Sequence, residues 1–185
     1  MNTSLVASVW PQSRQSLAYQ ALLVLAGSIL LAVSAKVQVP FWPVPMTMQT
    51  FVVLMLGATL GWRLAGATVL AYLAEGALGL PVFAKGAGLA YLAGPTGGYL
   101  LGFLLAAVLV GWLAERGYGR TIITTLLAFL AGEVVIILLG AGWLATFIGT
   151  AKAIEAGVVP FLGAEAVKVA LACLLLPFAW KAAGR

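Results

Sequence analysis

Residues 17–35 form a run of 19 residues without one charged side chain. Runs of similar length and character recur along the chain. A hydrocarbon core about 30 Å thick is crossed by roughly 20 apolar residues in helical form. Inside it every backbone N–H and C=O must be answered within the protein, which leaves helices and closed barrels. The strict alternation of barrel strands is absent, so the sequence predicts an all-α integral membrane protein. The remainder of the 185 residues agrees: 63% are apolar, 8% are charged and the mean hydropathy is +1.11, against about 25% charge in soluble domains.

The spacing of apolar runs and breakers predicts one domain over residues 1–185, with six transmembrane helices near 17–35, 47–60, 64–80, 98–114, 121–139 and 161–180. Val33, Ser34 and Ala35 would make a signal-peptide cleavage site. The first run is longer than a typical signal segment and carries Ser28 and Ala32 four residues apart, which favours a retained helix. That small-residue face can approach a helix of a partner protein or pack within the bundle. Gly57 with Gly61, Ala67 with Ala71, and Gly98 with Gly102 and Ala106 offer further faces for close approach.

Two stretches resist a helical reading. Pro40, Pro43 and Pro45 fix φ and lack an N–H, so residues 36–46 form a stiff loop bearing Phe41 and Trp42. Trp42 is placed as the aromatic cover of a ligand. Residues 79–103 hold two prolines and a string of glycines between apolar runs. Irregular backbone at membrane depth is tolerated where protein buries it or where it lines a cavity, so this stretch is read as the wall of a binding site. At its end Thr96, Gly97 and Gly98 begin a helix whose open N–H groups suit an anion or a carbonyl oxygen. Residues 140–160, glycine-containing with Lys152 and Glu155, are expected to form a broken or interfacial helix with a loop.

The chain has no histidine, its five acidic residues are all glutamate, and its one cysteine, Cys173, lies in an apolar run. The usual zinc ligand sets and a Ser-His-Asp arrangement are thereby excluded. No phosphate-binding GxxxxGK[ST] stretch occurs, so ATP, if used, is bound by another polypeptide. No cofactor, metal or nucleic-acid partner is expected. Glu75 and Glu133 fall inside predicted helices, where ionisable residues are costly and functional candidates by default. For Glu75, pairing with Lys36 or Lys85 is the structural alternative.

Six helices place Arg14, Arg63, Arg116, Arg120, Lys181 and Arg185 on one side and Lys36, Lys85 and Lys152 on the other. The larger positive set marks the cytoplasmic side, with both termini there. The proline loop, the glycine-rich stretch and the start of the last helix then share the outer face. There Glu165 and Lys168, three residues apart, lie on one helix face. Around them stand Thr47, Gln49, Thr50, Lys85, Tyr91, Thr96 and Tyr99. A mostly apolar pocket with these groups fits a small, partly apolar carboxylate captured from outside. Lys168, held by a helix, is expected to meet that carboxylate, with Lys85 or the N–H groups of Gly97 and Gly98 next in line.

The segments Val39-Pro40, Pro43-Val44-Pro45-Met46-Thr47-Met48-Gln49-Thr50, Gly79-Leu80-Pro81-Val82-Phe83 and Gly94-Pro95-Thr96-Gly97-Gly98-Tyr99, followed by Gly102-Phe103, are motifs long enough to be specific, and the similarity they mark extends over nearly the whole chain. Together they resemble the biotin-specific substrate-binding (S) components of energy-coupling factor transporters, the BioY family. The resemblance implies a six-helix protein of a bacterial or archaeal cytoplasmic membrane, the bacterial inner membrane included. Such a protein would bind biotin from outside and associate with a transmembrane coupling protein and two ATPases. It is a transport subunit and not an enzyme. The family's acidic residue and lysine in the last helix correspond here to Glu165 and Lys168, with Glu165 accepting from the ligand's ureido group. Lys85 stands where the family usually carries a small residue. The resemblance also places Ser28 and Ala32 against the coupling protein. The competing reading is a stand-alone facilitator or proton-coupled carrier of a small organic carboxylate, with Glu75 and Glu133 as its membrane carboxyls.

Overall fold

The structure, a computed structural model, describes residues 4–10 and 16–184. Arg14 and Arg185 lie outside the described residues. Among the described residues the chain runs α1 (Leu5–Val9), α2 (Leu17–Lys36), β1 (Gln38–Val39), β2 (Met46–Thr47), α3 (Gln49–Leu60), α4 (Trp62–Ala77), α5 (Leu89–Leu92), α6 (Gly97–Ala114), α7 (Ile122–Ile148), α8 (Thr150–Gly157) and α9 (Val159–Ala182). Leucine-rich surface is left exposed on α2, α7 and α9, at Leu25, Ile29, Leu127, Leu138, Val167 and Leu174 among others. In water such a surface would be an anomaly; against lipid tails it is the expected exterior.

Among the described residues four stretches are long and apolar enough to cross a membrane: Leu17–Lys36, Gly97–Ala114, Ile122–Ile148 and Thr150–Ala182. Six were expected. The difference lies in α3 and α4. The proline loop delays α3 until Gln49, and Gly61, at φ 81°, ends it at Leu60. Its 12 residues rise about 18 Å. Most of α3 is buried by neighbouring helices rather than turned to lipid.

The centre of the bundle is the antiparallel pair α6 and α7. A methyl at Gly102 would come within 2.9 Å of the Ile136 Cα, and one at Gly98 would collide with Trp143. Glycine at these positions lets two backbones meet, the close approach that small residues permit in membranes. Gly57 of α3 meets Ala107 and Val110 of α6 in the same way. α7 also departs from expectation by continuing past 139 to Ile148. Gly140 does not break it; the ring of Tyr99 lies where a side chain would be.

The face of α2 assigned to a coupling partner turns inward. Ser28 is 1% exposed and donates to Glu75 Oε1 at 2.9 Å, and Ala32 packs against the core. A buried hydroxyl finds its lowest energy beside the carboxyl that needs a donor. Glu75 is therefore answered by Ser28 and by neither lysine proposed for it.

Those lysines tie the irregular segments together. Lys36 Nζ donates to Phe83 O at 2.6 Å, Gln38 Nε2 to Ala84 O at 3.2 Å, and Lys85 Nζ to Phe41 O at 3.2 Å. The proline loop, its neck closed by β1 pairing antiparallel with β2, is thus clasped to the loop after α4. Phe83 is buried beneath that clasp, edge-on to Tyr72 at 5.4 Å and stacked on Tyr91 at 5.0 Å.

Candidate ligand-binding site

Under the clasp lies a cavity between the loops and helices α3, α6, α7 and α9, mostly apolar with a few polar groups, as small-molecule sites are. The loops contribute Val44, Pro45 and Ala84, and the start of α3 contributes Gln49 and Thr50. From Thr96 inward, α6 presents Tyr99, Leu100 and Phe103, while antiparallel α7 presents Ile137, Ile136 and Glu133. The α6 and α7 register therefore puts Glu133 at the end farthest from the loops. Phe161 stacks on Tyr99 at 6.0 Å and 18°. The Tyr99 hydroxyl, donating to Gly157 O at 2.7 Å, fixes that ring in place.

One wall is a closed polar net. Lys168 Nζ donates to Thr47 O at 2.6 Å, to Thr50 Oγ1 at 2.8 Å and to Glu165 Oε1 at 2.8 Å. The Thr50 hydroxyl donates in turn to Glu165 Oε2 at 2.7 Å. An ammonium has three donors, and all three are committed. Lys168 and Glu165 are 7% and 5% exposed, a depth at which ions persist only when paired and hydrogen-bonded. The sequence reason is the i, i+3 spacing on α9, which stacks the two side chains, together with Thr47 ending β2 one residue before α3 can begin. Thr47 Oγ1 also accepts from Gln49 N at 3.2 Å, and Gln49 Nε2 donates to the Tyr72 hydroxyl at 2.7 Å.

Of the residues singled out by sequence, Thr47, Gln49, Tyr91, Thr96, Tyr99 and Glu165 line this one cavity, and Lys168 stands behind Glu165 without lining it. Trp42 does not line it; it is 82% exposed and faces away with Phe147 and Lys152 nearby. Gly97 and Gly98 are absent from it as well, because their missing side chains make room for Leu92 and Trp143. Lys85 stands in an adjoining depression that shares Pro45, Tyr91 and Thr96 with the cavity. Sequence reasoning missed the position of Thr50 between the two charged groups and that of Glu133 in the lining. The one signal for Glu133 was its being a carboxyl inside an apolar run.

A model of the BioY family matches residues 5–185. The probable biotin transporter BioY of Pyrococcus horikoshii is 42% identical over 147 residues, 79% of this chain and 86% of that protein. The biotin transporter BioY of Thermotoga maritima is 40% identical over 149 residues, again 79% and 86%. Among solved structures, the crystal structure of the S-component for biotin from an ECF-type ABC transporter aligns with a TM-score of 0.77 and 25% identity, covering 93% of this chain and 94% of that one. A family match over nearly the whole length, joined to relatives at 40% identity and above across most of their own, makes this chain a member of the BioY family.

Proposed function

We propose that this chain binds biotin and serves its uptake as the substrate-binding component of an energy-coupling factor transporter. The observation that carries the reading is the cavity under the clasped loops, apolar and aromatic along its length and polar at Thr50, Glu165 and Glu133, with Lys168 behind Glu165. Biotin has that polarity: a fused ring with a ureido group, a thioether and an apolar tail ending in a carboxylate.

The orientation follows from the hydrogen-bond inventory. Lys168 has no donor left for an incoming anion, and the cavity beside it is lined by the carboxyls of Glu165 and Glu133. Like charges in a poorly hydrated site repel strongly. The ureido end, rich in N–H, therefore sits at the glutamates, and the carboxylate points toward the loops, where Lys85 is the cation next to Tyr91 and Thr96. Lys168 acts behind Glu165, fixing its position, and does not meet the carboxylate.

The same reading places the chain in the cytoplasmic membrane, the inner one in bacteria, with six crossings and both termini inside. It supplies no ATP hydrolysis of its own; a transmembrane coupling protein and two ATPases provide it. Titration calorimetry of the purified protein with biotin tests the first part, and saturable binding is expected. Uptake of labelled biotin by cells making this chain with and without coupling proteins tests the second. Undiminished uptake in their absence would favour the stand-alone carrier.

A further inference from the structure

Among the residues lining the cavity, Glu133 is singular. Its side chain is 5% exposed, it reaches the cavity from α7, and neither carboxyl oxygen receives a hydrogen bond from any described group. The contrast with the other membrane carboxyls is direct: Glu75 accepts from Ser28, and Glu165 accepts from Lys168 and Thr50. A buried carboxyl without a donor costs several kcal/mol, so such groups are retained where something else answers them. Among the described residues none donates to it. The polar groups around it are already engaged: Gln49 with Tyr72, the Tyr99 hydroxyl with Gly157 O, and Thr50 with Glu165. Glu133 lies beside Glu165 and in the field of Lys168.

We infer that Glu133 is a specificity-determining ligand contact, accepting an N–H from the ring of the bound molecule at the inner end of the cavity. This rests on the reading of biotin as ligand and deepens it. Glu165 already has a donor on each oxygen, whereas Glu133 offers both of its oxygens. A cyclic urea presents two N–H donors on adjacent sides of one ring. Glu133 takes one and the remaining acceptor capacity of Glu165 the other. The pair thereby selects a head group with donors over one of the same shape without them, since an acceptor left unanswered in a dry site is penalised far more than a lost contact.

The test is calorimetric titration of the purified protein, unaltered and as Glu133→Gln and Glu133→Leu. The two ligands are biotin and a biotin carrying a methyl on one ring nitrogen. The unaltered protein is expected to prefer biotin, and Glu133→Leu to bind biotin about ten- to a hundredfold more weakly. Glu133→Leu should also discriminate less between the two ligands. Glu133→Gln keeps a carbonyl acceptor and falls between. If the leucine variant does not fold, the glutamine variant with both ligands carries the test, and a ratio equal to that of the unaltered protein overturns the inference. A purely structural Glu133 would change thermal stability and leave the ligand ratio unmoved, which likewise overturns it. Failure of the unaltered protein to bind biotin overturns the ligand reading itself. Binding by the unaltered protein with both variants unchanged overturns the role of Glu133 alone.

Discussion

The seam between α6 and α7 and the wall between α3 and α9 are both buried, and they are held by opposite means. The seam has no side-chain hydrogen bond across its middle; Gly98 and Gly102 bring α6 against Trp143 and Ile136, and shape does the rest. The wall is joined by an ammonium, a carboxylate and a hydroxyl, each of whose partners lies more than 110 residues away or one turn along α9. Shape tolerates no extra volume, while a polar net tolerates no missing member. A residue of the seam should therefore matter equally with and without ligand, and a residue of the wall should matter most when ligand is present.

The largest effect is expected from breaking the wall. Lys168→Met leaves Glu165 buried with Thr50 as its one donor, a loss of about 3–5 kcal/mol of the kind seen when one partner of a buried pair is removed. Because Lys168 works through Glu165, biotin and biotin amide should lose affinity alike in calorimetry. A loss confined to biotin would return the carboxylate to Lys168. Next comes the seam. Gly102→Leu overpacks the Ile136 backbone and should cost about 1–3 kcal/mol, read as a lowered unfolding temperature in detergent by the same amount with and without biotin. A ligand-dependent shift would erase the distinction between the two regions.

Lys85→Ala sharpens the comparison from outside both. As an exposed cation it should cost about 0.2–1 kcal/mol, a loss of up to about fivefold in biotin affinity. Biotin amide should lose nothing, and an equal loss for both ligands would place the carboxylate elsewhere. The smallest effect is expected at Trp42. With its side chain 82% exposed and turned from the cavity, Trp42→Phe should change affinity less than about twofold. A large change would mean that the proline loop folds over the ligand, as its sequence suggests.

The legible parts of the molecule were those that local chemistry decides. Three prolines between 40 and 45 exclude a helix wherever they occur, and Glu165 with Lys168 must share a face of any helix that contains both. Gly97 and Gly98 were legible as glycines and misread in purpose: as donors at a helix start they point to a ligand, but a glycine's absent side chain speaks equally for a helix passing close by. Which of the two applies depends for Gly98 on Trp143 of α7, more than 40 residues later, and for Gly97 on the Leu92 carbonyl. Thr50 was legible as one of the polar groups near Glu165 and Lys168 but not as the bridge between them, since those partners are 115 and 118 residues away. The same holds for Ser28, whose spacing with Ala32 describes a close-packing face without saying which side of the helix meets the bundle.

The three bonds that clasp the loops over the cavity, from Lys36, Gln38 and Lys85, all end on main-chain carbonyls: Phe83 O, Ala84 O and Phe41 O. Every residue type supplies that oxygen. On the accepting side, therefore, mutation cannot remove the fastening as long as the backbone keeps its course. The side chains at the accepting positions can therefore change without loss of the acceptors, whereas the fastening depends on Lys36, Gln38 and Lys85 as its donors.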